Sequence, residues 1–225
     1  MFNTLFWIIG ASILSFVISA GFAGCLKLER NLYLLAYIPV SGGFVVGYYL
    51  WSGTDPVMQF TTNWGWGLVG AFIAGGLAVR HVLVQPASAR RNGAGLVIDL
   101  LWPGFDYGLI DAMLLSVVPV MAIYKGFADQ AWTFGAAGQL GTGVLALLAS
   151  LFVTLCYHIG YPEYRGKQVG MTLVGNGIMT MAFLLTGNPL AAVLPHCAMH
   201  VTAMCHGRDT TYQLPPHYRG QPSLI

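Results

Sequence analysis

Apolar residues run through the chain in long blocks, broken by short polar or Pro/Gly-containing stretches. A helix needs roughly 20 apolar residues to cross the hydrocarbon of a bilayer. Seven blocks meet or approach that length: Phe2–Leu26, Leu32–Trp51, Trp64–Val84, Gly108–Tyr124, Gly135–Tyr157, Val169–Leu185 and Pro189–Cys205. The fourth and the last two are short, so tilted or broken helices are expected there. Before the fourth block, Gly95–Trp102 is an amphipathic piece too short to cross. It predicts a helix lying at the interface and ending at Pro103–Gly104. The expected architecture is an all-α, polytopic transmembrane helix bundle in one unit. Residues 1–92 carry three spans, 93–206 form a four-helix core, and 207–225 are a polar tail expected to be only partly ordered.

Composition agrees with the pattern. The chain is 56% hydrophobic and only 8% charged, against about 25% charged in soluble domains. Charge this sparse cannot cover a water-facing surface, which excludes a soluble enzyme, a nucleic-acid binder and a disordered chain. The 29 glycines fit closely packed membrane helices. Cys25, Cys156, Cys197 and Cys205 have no paired spacing, so no disulfide framework is expected. Lys27, Arg30, Arg80, Arg90, Arg91, Arg165, Lys167, Arg208 and Arg219 all fall on one side of a seven-span topology, and only Lys125 falls on the other. The positive-inside rule makes that side cytoplasmic, with the N-terminus outside and the C-terminus inside. Trp51, Trp64 and Trp66 then form an aromatic belt at the outer interface. No basic n-region precedes the first span, which reads as a retained helix. The compact, loop-poor pattern suggests a bacterial inner (cytoplasmic) membrane, with the lipid bilayer and other membrane proteins as partners.

Ionisable groups are costly inside a membrane and therefore mark candidate chemistry. On the topology above, Asp106, Asp111, His158, Glu163, Asn176, His196, His200 and His206 share one layer near the cytoplasmic side. His196 and His200 are four apart and face the same side of one helix. Asp99 and Asp106 read as solvated or interfacial, as do His81, His206 and His217. Asp111 reads either as a helix-end cap or as a site residue, and Asn176 as an interhelical hydrogen-bonding group. A carboxylate with two histidines can activate water and stabilise an oxyanion. The same groups can hold a divalent metal, with His196 and His200 as ligands, or relay protons. Cys197 lies about 100° round the helix from His196 and does not complete a ligand set.

The stretch Leu185-Thr-Gly-Asn-Pro-Leu-Ala-Ala-Val-Leu-Pro-His196-Cys-Ala-Met-His200 resembles the last motif of the CPBP family, the CAAX-protease and bacteriocin-processing intramembrane proteins. That family carries His-x-x-x-Asn after a Thr-Gly-Ser-like turn. Upstream it has Phe-x-x-x-His and, earlier, Glu-Glu-x-x-x-Arg. His158, in Thr154-Leu-Cys-Tyr-His158, falls where the second motif is expected, 38 positions before His196. Asp111 lies 47 positions before His158, near the place of the glutamate motif. The chain departs from the pattern at Asp111 and Ser116 (for the glutamates and arginine), Thr154 (for phenylalanine) and His200 (for asparagine). The resemblance spans about Gly104–Cys205 and implies water activation by Asp111, His158, His196 and His200 if the chain is active.

Without the glutamate pair, the resemblance favours a non-proteolytic subunit or scaffold of a membrane complex that retains the fold. The alternatives are an intramembrane hydrolase or peptidase using Asp111, His158 and His196, and a metal-binding or proton-handling membrane protein.

Overall fold

The computed structural model describes residues 2–130 and 133–215. The readings placed on His217, Arg219 and the rest of the tail beyond residue 215 lie outside the described residues. All regular structure among the described residues is helical. We number the helices α1 (Phe2–Ile18, continuing as a π-helical stretch Ser19–Cys25), α2 (Arg30–Ser52), α3 (Pro56–Thr61), α4 (Trp64–Leu83), α5 (Ala94–Phe127), α6 (Gly135–Ile159), α7 (Lys167–Thr186) and α8 (Leu190–His206). Six of these, all but α3 and α8, are long and apolar enough to cross a membrane. This supports an integral membrane protein. The seventh apolar block forms α8, whose 17 residues reach roughly 25 Å, short of the ~30 Å hydrocarbon.

The expected break at Pro103–Gly104 is not there. Gly95–Trp102 is the first part of α5, one 34-residue helix. The wider winding of the π-helical stretch Leu100–Asp106 carries Pro103 inside the helix. A second π-helical stretch, Met113–Val117, runs up to Pro119. Pro119 has no N–H to give the Leu115 carbonyl four residues back, and Ser150 Oγ of α6 donates to that carbonyl at 2.8 Å. A proline that would disrupt an isolated helix is thus tolerated because its neighbour supplies a donor.

α5 is the axis of the bundle. The apolar part of this helix is 78% buried, against 22–39% for the other five candidate spans. Around it pack α1, α6 and α8, with α4 and α7 flanking α8. Two devices join these helices. Asn176 of α7 accepts from Ser116 Oγ of α5 at 2.9 Å and donates to Ser150 Oγ and Thr154 Oγ1 of α6 at 3.0 and 2.7 Å. Its expected role as interhelical glue is therefore fulfilled. Gly108 lets α5 approach α8 closely, since a Cβ there would sit 2.8 Å from the Cys197 Cα.

Residues 207–215 do not behave as a loose polar tail. Leu214 is 1% exposed and packs with Val82, Ala203 and Met204, and Arg30 donates to the Arg208 and Pro215 carbonyls at 3.1 and 3.0 Å. Asp99, expected to be solvated, is 4% exposed and paired with Arg208 at 3.2 Å and Arg91 at 3.5 Å. His206 is likewise not simply hydrated: its Nε2–H donates to the Gln85 carbonyl at 2.9 Å. All four cysteines are free, as expected.

Two glycines give a matched test of the packing. Gly108→Ala should destabilise the protein by about 1–3 kcal/mol, because backbone must move to admit the methyl. Gly76→Ala, with nothing within 4 Å of its new Cβ, should stay within about 0.5 kcal/mol. Thermal unfolding in detergent reads both.

Candidate functional site

The contact at Gly108 sets up the site. Asp111 lies one turn further along α5, near the middle of that helix. This position rules out a helix-end cap. The carboxylate is 4% exposed. Its Oδ1 accepts a hydrogen bond from Tyr37 of α2 at 2.8 Å. Its Oδ2 faces Nε2 of His196 at 3.7 Å and Nε2 of His200 at 3.9 Å. Both histidines are buried on the same face of α8, with ring centroids 6.1 Å apart. These separations are too long for direct hydrogen bonds.

Asp111, His158, Asn176, His196 and His200 line one cavity of about 270 Å³. These members of the polar layer expected from the sequence share one half-open space. Asp99, Asp106, Glu163 and His206 do not line it. His81 does, exposed at its rim. Leu115, Met179 and Met199 supply apolar wall. A carboxylate enclosed in this way acts far more strongly on a nearby dipole than it would in water.

His158 is oriented by its own helix. Its Nδ1 lies 2.8 Å from the Thr154 carbonyl. A carbonyl only accepts, so Nδ1 carries the proton and the lone pair of the neutral ring is on Nε2. Thr154 is held in turn by Asn176, which ties this orientation to the α5–α6–α7 polar cluster. Both ring nitrogens of His200 are buried without a hydrogen-bond partner among the described residues. Its ring packs edge-on against Tyr107 at 4.7 Å. Cys197 points away, toward the Phe105 carbonyl. Among the described residues no group of three or more His, Cys, Asp or Glu gathers closely enough to hold a metal ion.

Sequence reasoning missed the tyrosines. Tyr33, Tyr107, Tyr157 and Tyr161 join hydroxyls: Tyr33 with Tyr157 at 2.9 Å and Tyr161 at 2.5 Å, Tyr161 with Tyr157 at 2.8 Å, and Tyr107 with Tyr157 at 2.9 Å. All four are at most 1% exposed. Tyr37 stacks on Tyr33 with centroids 5.7 Å apart. This layer braces the far side of the Asp111 carboxylate. The available signal was spacing: Tyr33 and Tyr37 recur at four residues on one face of α2, and Tyr157 and Tyr161 have the same spacing across the end of α6.

No protein family, curated protein or solved structure matched the chain.

Glu163 gives the clearest pH dependence. It lies in the turn between α6 and α7, outside the spans, and its Oε1 is buried without a hydrogen-bond partner among the described residues. Burial raises its carboxyl above the usual 4.5, and its own backbone N–H opposes part of the rise. The folded state therefore holds this proton more tightly than the unfolded chain. The associated stability is present in full below the unfolded value and is lost as pH rises through the folded one. Glu163→Gln should raise the unfolding temperature at neutral pH and flatten its decline above pH 4.5, as followed by thermal scans across that range.

Proposed function

We propose that the chain is an intramembrane hydrolase of the CPBP type in which an aspartate replaces the glutamates. The observation that carries this reading is the Asp111 Oδ2 carboxylate facing Nε2 of both His196 and His200 within 4 Å, all three lining one half-open cavity. A water bridging these groups is polarised by the carboxylate as general base. Its oxygen bonds to the acyl carbon of a substrate, and its proton passes to Asp111 or an adjacent imidazole. The other imidazole donates an N–H hydrogen bond that stabilises the oxyanion. Collapse breaks the bond to the leaving group, which takes up the proton. The products are a carboxylic acid and the protonated leaving group. Tyr37 positions the carboxylate, and His158 borders the same space.

The finer topology belongs to the same proposal. Seven crossings with the N-terminus outside put the end of α4, the start of α7 and residues 207–215 at the cytoplasmic face. His81, Gln168, Tyr212 and Gln213, which rim the cavity, come from these segments. The site then opens toward the cytoplasm of a bacterial inner membrane. A second reading, the non-proteolytic subunit, is favoured by an apolar groove of about 800 Å³ between α4, α6 and α7, a shape suited to a partner helix.

Asp111→Asn and His196→Gln should each lower turnover by about 10²–10⁴-fold while leaving the protein folded in detergent. The readout is mass spectrometry of peptide termini and free fatty acids in membranes carrying the wild type or a variant. New products in the wild type alone support the hydrolase. Identical profiles, together with a stoichiometric co-purifying membrane protein, support the subunit instead.

A further inference from the structure

We propose that residues 207–215 are a gate over the cavity, latched by Gln85 and opened without unfolding the bundle. The segment leaves α8 and crosses the cavity mouth, where Tyr212 and Gln213 form part of the rim. Gln85 spends both ends of one amide on this stretch. Its Oε1 accepts from the Tyr212 N–H at 3.0 Å, and its Nε2 donates to Gln213 Oε1 at 2.8 Å. From the opposite side of the mouth, the Tyr164 hydroxyl donates to the Tyr212 carbonyl at 2.6 Å. The strap is thus clasped at the residues that border the cavity.

Where it leaves α8, the strap is fixed by the Arg208–Asp99 ion pair at 3.2 Å, with Asp99 buried, and this end is its hinge. Beyond the hinge its anchors are of two kinds. Arg30 brackets it, donating to the Arg208 and Pro215 carbonyls, and Thr210 Oγ1 donates to the Pro86 carbonyl. These are polar bonds at the end of the bundle, each of which water can replace. Leu214 is the strap's apolar anchor, inserted beside Val82 and Met204. A segment held by exchangeable polar bonds and one apolar plug opens at lower free energy than packed helices do. The bond that closes the cavity is made by a side chain of the α4–α5 connection. Movement of that connection and of the strap are therefore coupled.

The inference takes the cavity as the working site, as proposed above, but its test reads access and not turnover. Either idea can therefore fail alone. The probe is a charged, bilayer-impermeant methanethiosulfonate applied to full-length protein carrying Met179→Cys. Met179 is 3% exposed and lines the cavity. Peptide mass mapping separates position 179 from the native cysteines, and exposed Cys25 serves as the rate standard. We expect slow labelling at position 179 in this parent. Adding Gln85→Ala or Leu214→Ala should accelerate it roughly tenfold or more, the factor that ~1.4 kcal/mol of lost latch corresponds to. Cys25 labelling and the unfolding temperature should stay unchanged. Rapid labelling in the parent, or equal rates in the variants, would overturn the gate. If a variant lowers the unfolding temperature, a Gln85→Cys, Gln213→Cys disulfide decides instead. The lock must slow labelling below the parent rate, and failure to do so overturns the proposal.

Discussion

A carboxylate in the middle of an apolar bundle cannot stand alone. The cost of an unpaired charge there is several kcal/mol, so the helices must bring Asp111 partners or not assemble in this way. Two helices answer that demand: α2 with Tyr37, and α8 with His196 and His200. The demand also explains why α5 and α8 touch at backbone distance. Asp111 is a short side chain, and a residue larger than Gly at position 108 would hold the two helices too far apart for it to face the imidazoles. Burial of the acid, close packing at the glycine and enclosure of the cavity are one arrangement.

The same rule, that polar groups in an apolar medium must find partners, shapes the supports around the site. Pro119 removes a donor from α5, and Ser150 restores one. Asn176 then gathers Ser116, Ser150 and Thr154 from two other helices. Because the Thr154 carbonyl receives the His158 Nδ1–H, repairing a helix defect also fixes the orientation of a cavity histidine. The tyrosine layer does comparable work on the α2 side. A site framed in this way keeps its geometry without help from loops, which suits chemistry sensitive to displacements of ~1 Å.

Much of this was legible in the amino-acid sequence. Apolar runs locate seven of the eight helices, all but the short α3, because length and hydropathy are local properties. Sparse charge points directly to Asp111, His158, His196 and His200, since ionisable residues stand out in such a chain. The break expected at Pro103–Gly104 failed because π-helical winding absorbs the proline, a decision made by packing against α8 and not by the local sequence. Asp99 looked solvated because its partner Arg208 is more than a hundred residues away. The order of residues 207–215 was hidden for the same reason: their anchors, Arg30, Gln85 and Tyr164, lie on three other segments. The tyrosines were overlooked because their hydroxyls are uncharged, and only the assembled bundle reveals that they meet.

Hydrolysis leaves an isotopic signature in the carboxyl group it creates. Membranes carrying the wild type or Asp111→Asn would be incubated in water enriched in oxygen-18, and newly formed carboxyl groups read by mass spectrometry. Water activation by Asp111 predicts labelled carboxyl products with the wild type and their loss with Asp111→Asn. The same labelled products in both, or in neither, would contradict it.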